Sequence, residues 1–348
     1  MTGTAPTDSR RDANLSTDPP ADTPAPAQLL GAATLGLTLA ALLFARTRPR
    51  AQAQAGASLR ARPAPPPAPA RNAPEARQLY RASAMLAASV LSDSALEHYR
   101  GGFENPGMFA ALASAALVLT SAMGGARRPL VDPPGRRLAS GPARADLAYG
   151  AACAVGLAGL GFHAYNLLRR PGGLSWGNLF YAAPVGAPAA LSLAGLLGLA
   201  ARRVDGGAAT LAGLPSGQAL CALSAVGLAG NTAEVALLHF RGAFQHPAMW
   251  VPVSVPPVGA ALLFAAAVES PRATRQRGRL AQAVLAACTW MGVLGMGFHA
   301  RGVARQMGGW RNWSQNVLSG PPLPAPPSFS ALALAGRAAL ALRAREAP

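Results

Sequence analysis

The sequence predicts an all-α integral membrane protein: an internally duplicated bundle of eight transmembrane helices, arranged as two parallel four-helix repeats, preceded by one further transmembrane helix. Three observations carry this expectation. Only 13% of the 348 residues are charged and 51% are hydrophobic, whereas a soluble domain carries about 25% charged residues. The apolar residues gather into runs long enough to cross a hydrocarbon layer. And one polar segment occurs twice, as Leu96-Glu-His-Tyr-Arg-Gly-Gly-Phe-Glu-Asn-Pro-Gly-Met108 and as Leu237-Leu-His-Phe-Arg-Gly-Ala-Phe-Gln-His-Pro-Ala-Met249. Arg100/Arg241, Phe103/Phe244, Pro106/Pro247 and Met108/Met249 keep the same spacing as His98/His239.

Taken in order, residues 1–28 are polar and rich in Pro, Thr and Asp, which predicts a disordered tail. Residues 29–46 form the first apolar run and predict an N-terminal transmembrane helix. Arginines follow this run instead of preceding it, the reverse of a secretory signal, although Ala51-Gln52-Ala53 resembles a cleavage site. Residues 47–78 are a Pro/Ala/Arg-rich linker, extended in character. Eight apolar runs follow, near 79–97, 107–124, 147–164, 181–201, 217–238, 248–268, 280–298 and 328–343. The first four make repeat 1 (79–203) and the last four repeat 2 (217–343), with 344–348 a short tail.

The second half of each unit repeats as well. Gly156, Gly159, Gly161, Phe162, His163, Arg169, Gly172 and Gly173 correspond to Gly292, Gly295, Gly297, Phe298, His299, Arg305, Gly308 and Gly309. After a small insertion, Trp176, Asn178, Ala187 and Pro188 match Trp313, Asn316, Ala325 and Pro326. An even number of helices per unit gives both units one orientation and a pseudo-two-fold axis along the membrane normal.

The net charge of +17 comes with 31 basic residues, all of them arginine. They concentrate in the linkers 47–78, 125–146, 201–216 and 269–279. This is the signature of cytoplasmic loops under the positive-inside rule, and it argues against nucleic acid as a partner. The expected setting is the bacterial inner membrane with the motif loops outside; the expected partners are the lipid bilayer and an extracytoplasmic redox protein. Cys153, Cys221 and Cys288 lie singly in apolar runs and predict neither a disulfide framework nor a metal site.

Four histidines, His98, His163, His239 and His299, fall where outward-going helices end, and each is followed by an arginine: Arg100, Arg169, Arg241, and Arg301 or Arg305. Imidazole near a helix C-terminus suits the helix dipole; it is also a common ligand of metals and haem iron. Cofactor ligation pairs His98 with His163 and His239 with His299, with the guanidiniums holding propionates or another anionic group. The glycines below His163 and His299 leave a flat helix face that admits either a neighbouring helix or a planar ring. Haem b or a quinone is the expected occupant, and no metal site of protein ligands alone is expected. Met108 and Met249 beside imidazole would suit copper, but a Met opening a membrane helix is ordinary packing. Asp93 and Glu234 also correspond; an acid within a span points to proton or ion relay, or to pairing with a loop arginine. Trp176, Trp250, Trp310, Trp313 and Tyr181 fit an interfacial aromatic belt.

The chain carries no Walker-type loop, HExxH, GxSxG or CxxC, so no catalytic residue is assigned. The leading functional reading is a membrane subunit of a redox system. The alternatives are a non-catalytic anchor or assembly protein for an extracytoplasmic partner, and a transporter using Asp93 and Glu234.

Overall fold

The computed structural model describes residues 72–128, 142–181, 184 and 186–346. The expected tail, the first transmembrane helix and the linker up to residue 71 lie outside the described residues. Eight long helices follow: α1 (Ala73–Arg100), α2 (Met108–Ala126), α3 (Pro142–Leu168), α5 (Gly186–Asp205), α6 (Ser216–Arg241), α7 (Val251–Val268), α8 (Pro271–Ala304) and α10 (Pro327–Arg345). Two short ones, α4 (Trp176–Tyr181) and α9 (Trp313–Ser319), interrupt the connections before α5 and α10. A small hairpin, β1 (Thr210–Leu211) with β2 (Leu214–Pro215), joins α5 to α6. Ala212 and Gly213 turn it with positive φ at both positions, as a tight two-residue hairpin requires.

Among the described residues six helices are long and apolar enough to cross a membrane: α2, α3 from Arg144, α5, α6, α7 from Pro247 and α8. The protein is thus an all-α, multi-pass membrane protein. The two helices below that threshold, α1 and α10, are the most buried ones and pack along each other at the centre. Their polarity follows from this position, because they meet protein where the outer helices meet lipid. Glu75 of α1 pairs with Arg345 of α10, and Arg337 of α10 donates to Gln282 Oε1 of α8 at 3.0 Å.

In each half the four long helices form a closed ring. α1 packs on α2, α2 on α3, α3 on α5, and α5 back on α1; α6, α7, α8 and α10 repeat the same order. The halves join through α1 against α10, broadly, and through α5 against α6, more slightly. These are the contacts that a two-fold relation between the halves would interchange.

Close helix approach depends on glycine at matched places. A Cβ on Gly156 of α3 would come within 2.6 Å of Pro188 O of α5, and one on Gly292 of α8 within 2.7 Å of the O of Pro326, which caps α10. Gly159 and Gly295 face the Pro188 and Pro326 rings, while Gly161 and Gly297 face open space. Of the two uses the sequence left open for these glycines, helix packing takes the first two of each set.

Helix ends extend beyond the apolar runs. α1 begins at Ala73, inside the expected linker, with Pro74 in its first turn and Glu75 held by Arg345. α8 begins at Pro271, capped by Ser270, whose Oγ accepts from Ala273 N at 3.4 Å. Its arginine-rich first turns therefore stand as helix beyond the apolar span.

Candidate functional site at the histidine end

α10 runs antiparallel to both α1 and α6. Ser89 of α1 donates to Pro324 O just before α10, Arg345 near its end meets Glu75 at the start of α1, and Glu346 accepts from Gly217 N at the start of α6. The C-termini of α1 and α6 consequently lie at one end of the bundle. The short connections bring the C-termini of α3 and α8 to that same end, so all four histidines gather there.

The two motif loops share one backbone geometry. Gly102 and Phe103 have φ of 66° and 50°, and Ala243 and Phe244 have 55° and 46°. Phe103 N donates to His98 O at 3.0 Å and Phe244 N to His239 O at 3.1 Å. Each Phe then stacks on the first turn of the next helix, Phe103 on Phe109 at 4.5 Å and Phe244 on Trp250 at 4.0 Å, and turns its ring edge-on toward the imidazole at 6.1 Å. A left-handed conformation strains any residue with a Cβ. Ala243→Gly is accordingly expected to stabilise the protein, by up to about 1 kcal/mol, and Gly102→Ala to destabilise it comparably. Thermal unfolding in detergent measures both.

The imidazoles are held alike. His163 Nδ1 bonds Pro184 O, and His299 Nδ1 bonds Pro322 O at 2.6 Å. Both carbonyls belong to the segment entering the fourth long helix of their half. His239 Nδ1 bonds Met249 O at 2.8 Å; His98 Nδ1 faces the matching Met108 carbonyl without reaching hydrogen-bond geometry. A carbonyl can only accept, so Nδ1 carries the proton and Nε2 keeps a lone pair. His98 and His163 lie within electrostatic reach of each other, as do His239 and His299. Each pair sits on the first and third helices of its ring, diagonally across the bundle.

The arginines do more than rim the site. Arg100, ion-paired with Glu97, reaches Val317 O of α9 at 3.5 Å, and Arg241 donates to Phe180 O of α4 at 2.9 Å. Each crosses to the short helix of the opposite half, where late carbonyls lack helical partners. Phe180 also stacks on Phe240 at 5.7 Å. Arg169 lies over the Tyr165 ring, 5.9 Å from its centroid, and Arg305 is exposed. Arg170 donates to Tyr181 O at 3.3 Å.

The Gly-Gly pairs are turns, with positive φ at Gly172, Gly173, Gly308 and Gly309. One asparagine braces each turn. Asn178 Nδ2 donates to Pro171 O and Gly173 O at 3.1 and 2.8 Å; Asn316 Nδ2 donates to Met307 O and Gly309 O at 3.1 and 2.9 Å. Their repetition in sequence marked them, but a backbone latch is visible only in three dimensions. His246 caps a turn, its Nδ1 accepting from Ala248 N at 3.1 Å. Trp176, Trp250, Trp310, Trp313 and Tyr181 are all exposed around this end.

The two acids lie near the boundary between the halves. Asp93 of α1 lies within electrostatic reach of Glu234 of α6, and of Glu97 and Arg100. Glu234 Oε1 accepts from Gly186 N, the first amide of α5, at 3.1 Å, where the helix dipole favours a carboxylate. The carboxylate packs so tightly on Gly186 that no Cβ would fit there. The matching position before α10 is Pro324, which has no N–H to offer, and the Asp93 carboxylate makes no hydrogen bond or ion pair among the described residues. Arg100 takes Glu97 as its ion-pair partner, so Asp93 is not the carboxylate it pairs with.

Among the described residues no group of three or more His, Cys, Asp or Glu side chains is arranged to hold a metal ion. Cys153, Cys221 and Cys288 are buried free thiols. No family model, curated protein or solved structure matches this chain.

Proposed function

We propose that the chain is a duplicated eight-span protein of the bacterial inner membrane, with the histidine end on the extracytoplasmic side. In this reading the duplication comprises residues 79–203 and 217–343, and the histidine end is the cofactor site of a redox subunit, occupied by haem b or a quinone. The observation that carries this reading is the imidazole arrangement. Each half sets two imidazoles on diagonal helices, and three of the four have Nδ1 anchored on a backbone carbonyl. That anchoring fixes the tautomer and aims Nε2 as a ligand or a hydrogen-bond acceptor.

Two imidazoles per half are the residues that could hold a haem iron. His98 with His163 and His239 with His299 would hold it, and bound haem supplies one-electron transfer. Arg169 and Arg305 would be the guanidiniums left to hold an anionic group of the cofactor, while Arg100 and Arg241 also tie the halves together. For a quinone, the same Nε2 atoms accept hydrogen bonds from the reduced form, and Asp93 and Glu234 relay its protons.

Protein purified in detergent tests this directly. A Soret band is expected in the visible spectrum, reduced in His163→Ala and abolished in His163→Ala/His299→Ala; for a quinone, solvent extraction yields it from the wild type and not from that variant. Protein holding neither haem nor quinone overturns the reading. One observation favours a second reading, cation or proton transport: Asp93 of one half lies within electrostatic reach of Glu234 of the other. Flux in vesicles that is lost in Glu234→Gln, from colourless protein, would select it.

A further inference from the structure

At the opposite, arginine-rich end, a recess of about 300 Å³ opens between α1, α2 and α10. Ala84, Met85, Met123, Ala126 and Leu334 give it an apolar lining, and Arg81 and Arg127 complete it. We infer that this recess holds one anionic diacyl phospholipid, its phosphate between the two guanidiniums and part of an acyl chain along the two methionines and Leu334.

Position supports this first. Arg81 precedes His98 by nearly five helical turns, about 25 Å at the α-helical rise, and Arg127 caps the far end of α2. The hydrocarbon layer is about 30 Å thick. With the histidines at one boundary, both guanidiniums fall near the other, at headgroup depth.

Charge supports it second. The neighbouring arginines are in use: Arg77 donates to Arg128 O at 2.6 Å, and Arg128 pairs with Asp205 at 3.8 Å. Arg81 and Arg127 are exposed, and neither guanidinium makes a hydrogen bond or ion pair among the described residues. Two guanidiniums at an apolar recess suit a phosphate that brings its own hydrocarbon. A choline headgroup would bring a positive charge to the same place, and a soluble phosphate would leave the apolar lining uncovered. The volume is at the lower limit of ligand sites, about 300–1,000 Å³, so the remainder of the lipid stays in the bilayer. Flexible methionine side chains line such surfaces well.

The second half supplies an internal comparison. At the spacing of the motif loops, Arg81, Met85, Met123 and Arg127 correspond to Ala222, Val226, Phe264 and Val268. The matching positions there carry no arginine, so one lipid per chain is expected rather than two.

Native mass spectrometry of the full chain, delipidated and then offered phosphatidylglycerol and phosphatidylcholine in equal amounts, tests the inference. One phosphatidylglycerol per chain is expected, preferred by about tenfold, as charge-assisted hydrogen bonds allow. Arg81→Gln/Arg127→Gln should abolish the preference, while Arg311→Gln, at the histidine end, keeps it. Leu334→Trp should expel the lipid with both arginines intact. Equal uptake of the two lipids by the wild type, or a preference that survives in the double variant, overturns the inference. So does a preference lost equally in Arg311→Gln, which would mark a general effect of positive charge. Circular dichroism and gel filtration confirm that the variants compared are folded.

Discussion

Gly156→Leu is expected to destroy the folded bundle, and Gly161→Ala, five residues along the same helix, to stabilise it. At Gly156 the obstacle is fixed backbone: Pro188 O and Ser192 N each lie 2.6 Å from where a Cβ would stand. Neither atom can rotate away, so α3 and α5 must separate along their crossing. Overpacking a well-packed core costs about 1–3 kcal/mol where side chains can adjust. A leucine wedged against backbone should exceed that range, and Gly156→Ala should fall within it. Gly161 has nothing within 4 Å of an added Cβ, so alanine there gains the helical preference over glycine, about 0.5–1 kcal/mol. Gly292→Leu and Gly297→Ala should repeat the contrast in the second half. Unfolding in detergent, followed by gel filtration for Gly156→Leu, reads both signs. A tolerated Gly156→Leu would mean that the α3–α5 crossing is looser than described.

The same glycines show where the sequence stops being informative. Their spacing announces a flat helix face, and a neighbouring helix or a planar ring satisfies that pattern equally. Only the approach of Pro188 and Pro326 decides, and those residues lie in the next helix. The eight long helices were legible because an apolar run of about twenty residues is a strong local signal. α4 and α9 were not, since six or seven residues carry too little periodicity. The hairpin at 210–215 and the first turns of α8 were hidden in arginine-rich stretches that read as linker. At the candidate site, the histidines and acids could be named because each occurs twice in register. Their partners could not, because the carbonyls of Pro184 and Pro322 and the approach of Asp93 to Glu234 arise only when separate segments pack. The crossing of Arg100 and Arg241 to the opposite half is tertiary in the same sense, and it gives those two arginines a structural contact that the sequence did not announce.

Arg343→Met is expected to destabilise the protein by about 3 kcal/mol or more, the range for removing one partner of a buried charged network. Arg343 is 7% exposed, and each of its three guanidinium nitrogens has a partner. Nε donates to Ala266 O at 3.1 Å and NH2 to Glu269 O at 2.6 Å, both at the end of α7, while NH1 meets Glu346 at 3.0 Å. Glu346 in turn accepts from Gly217 N, opening α6. One side chain therefore binds the last turn of α10 to the end of α7 and, through Glu346, to the start of α6. Methionine keeps much of the volume but leaves two carbonyls and a carboxylate without their donor. The glutamate's share can be separated. Glu346→Gln retains an acceptor for Gly217 N and removes the ion pair, so it should cost less than half as much. In the double variant the costs should fall short of additive, because the two groups act on each other. Strict additivity would show that Arg343 acts only through the α7 carbonyls, and a neutral Arg343→Met would show that packing alone holds this corner.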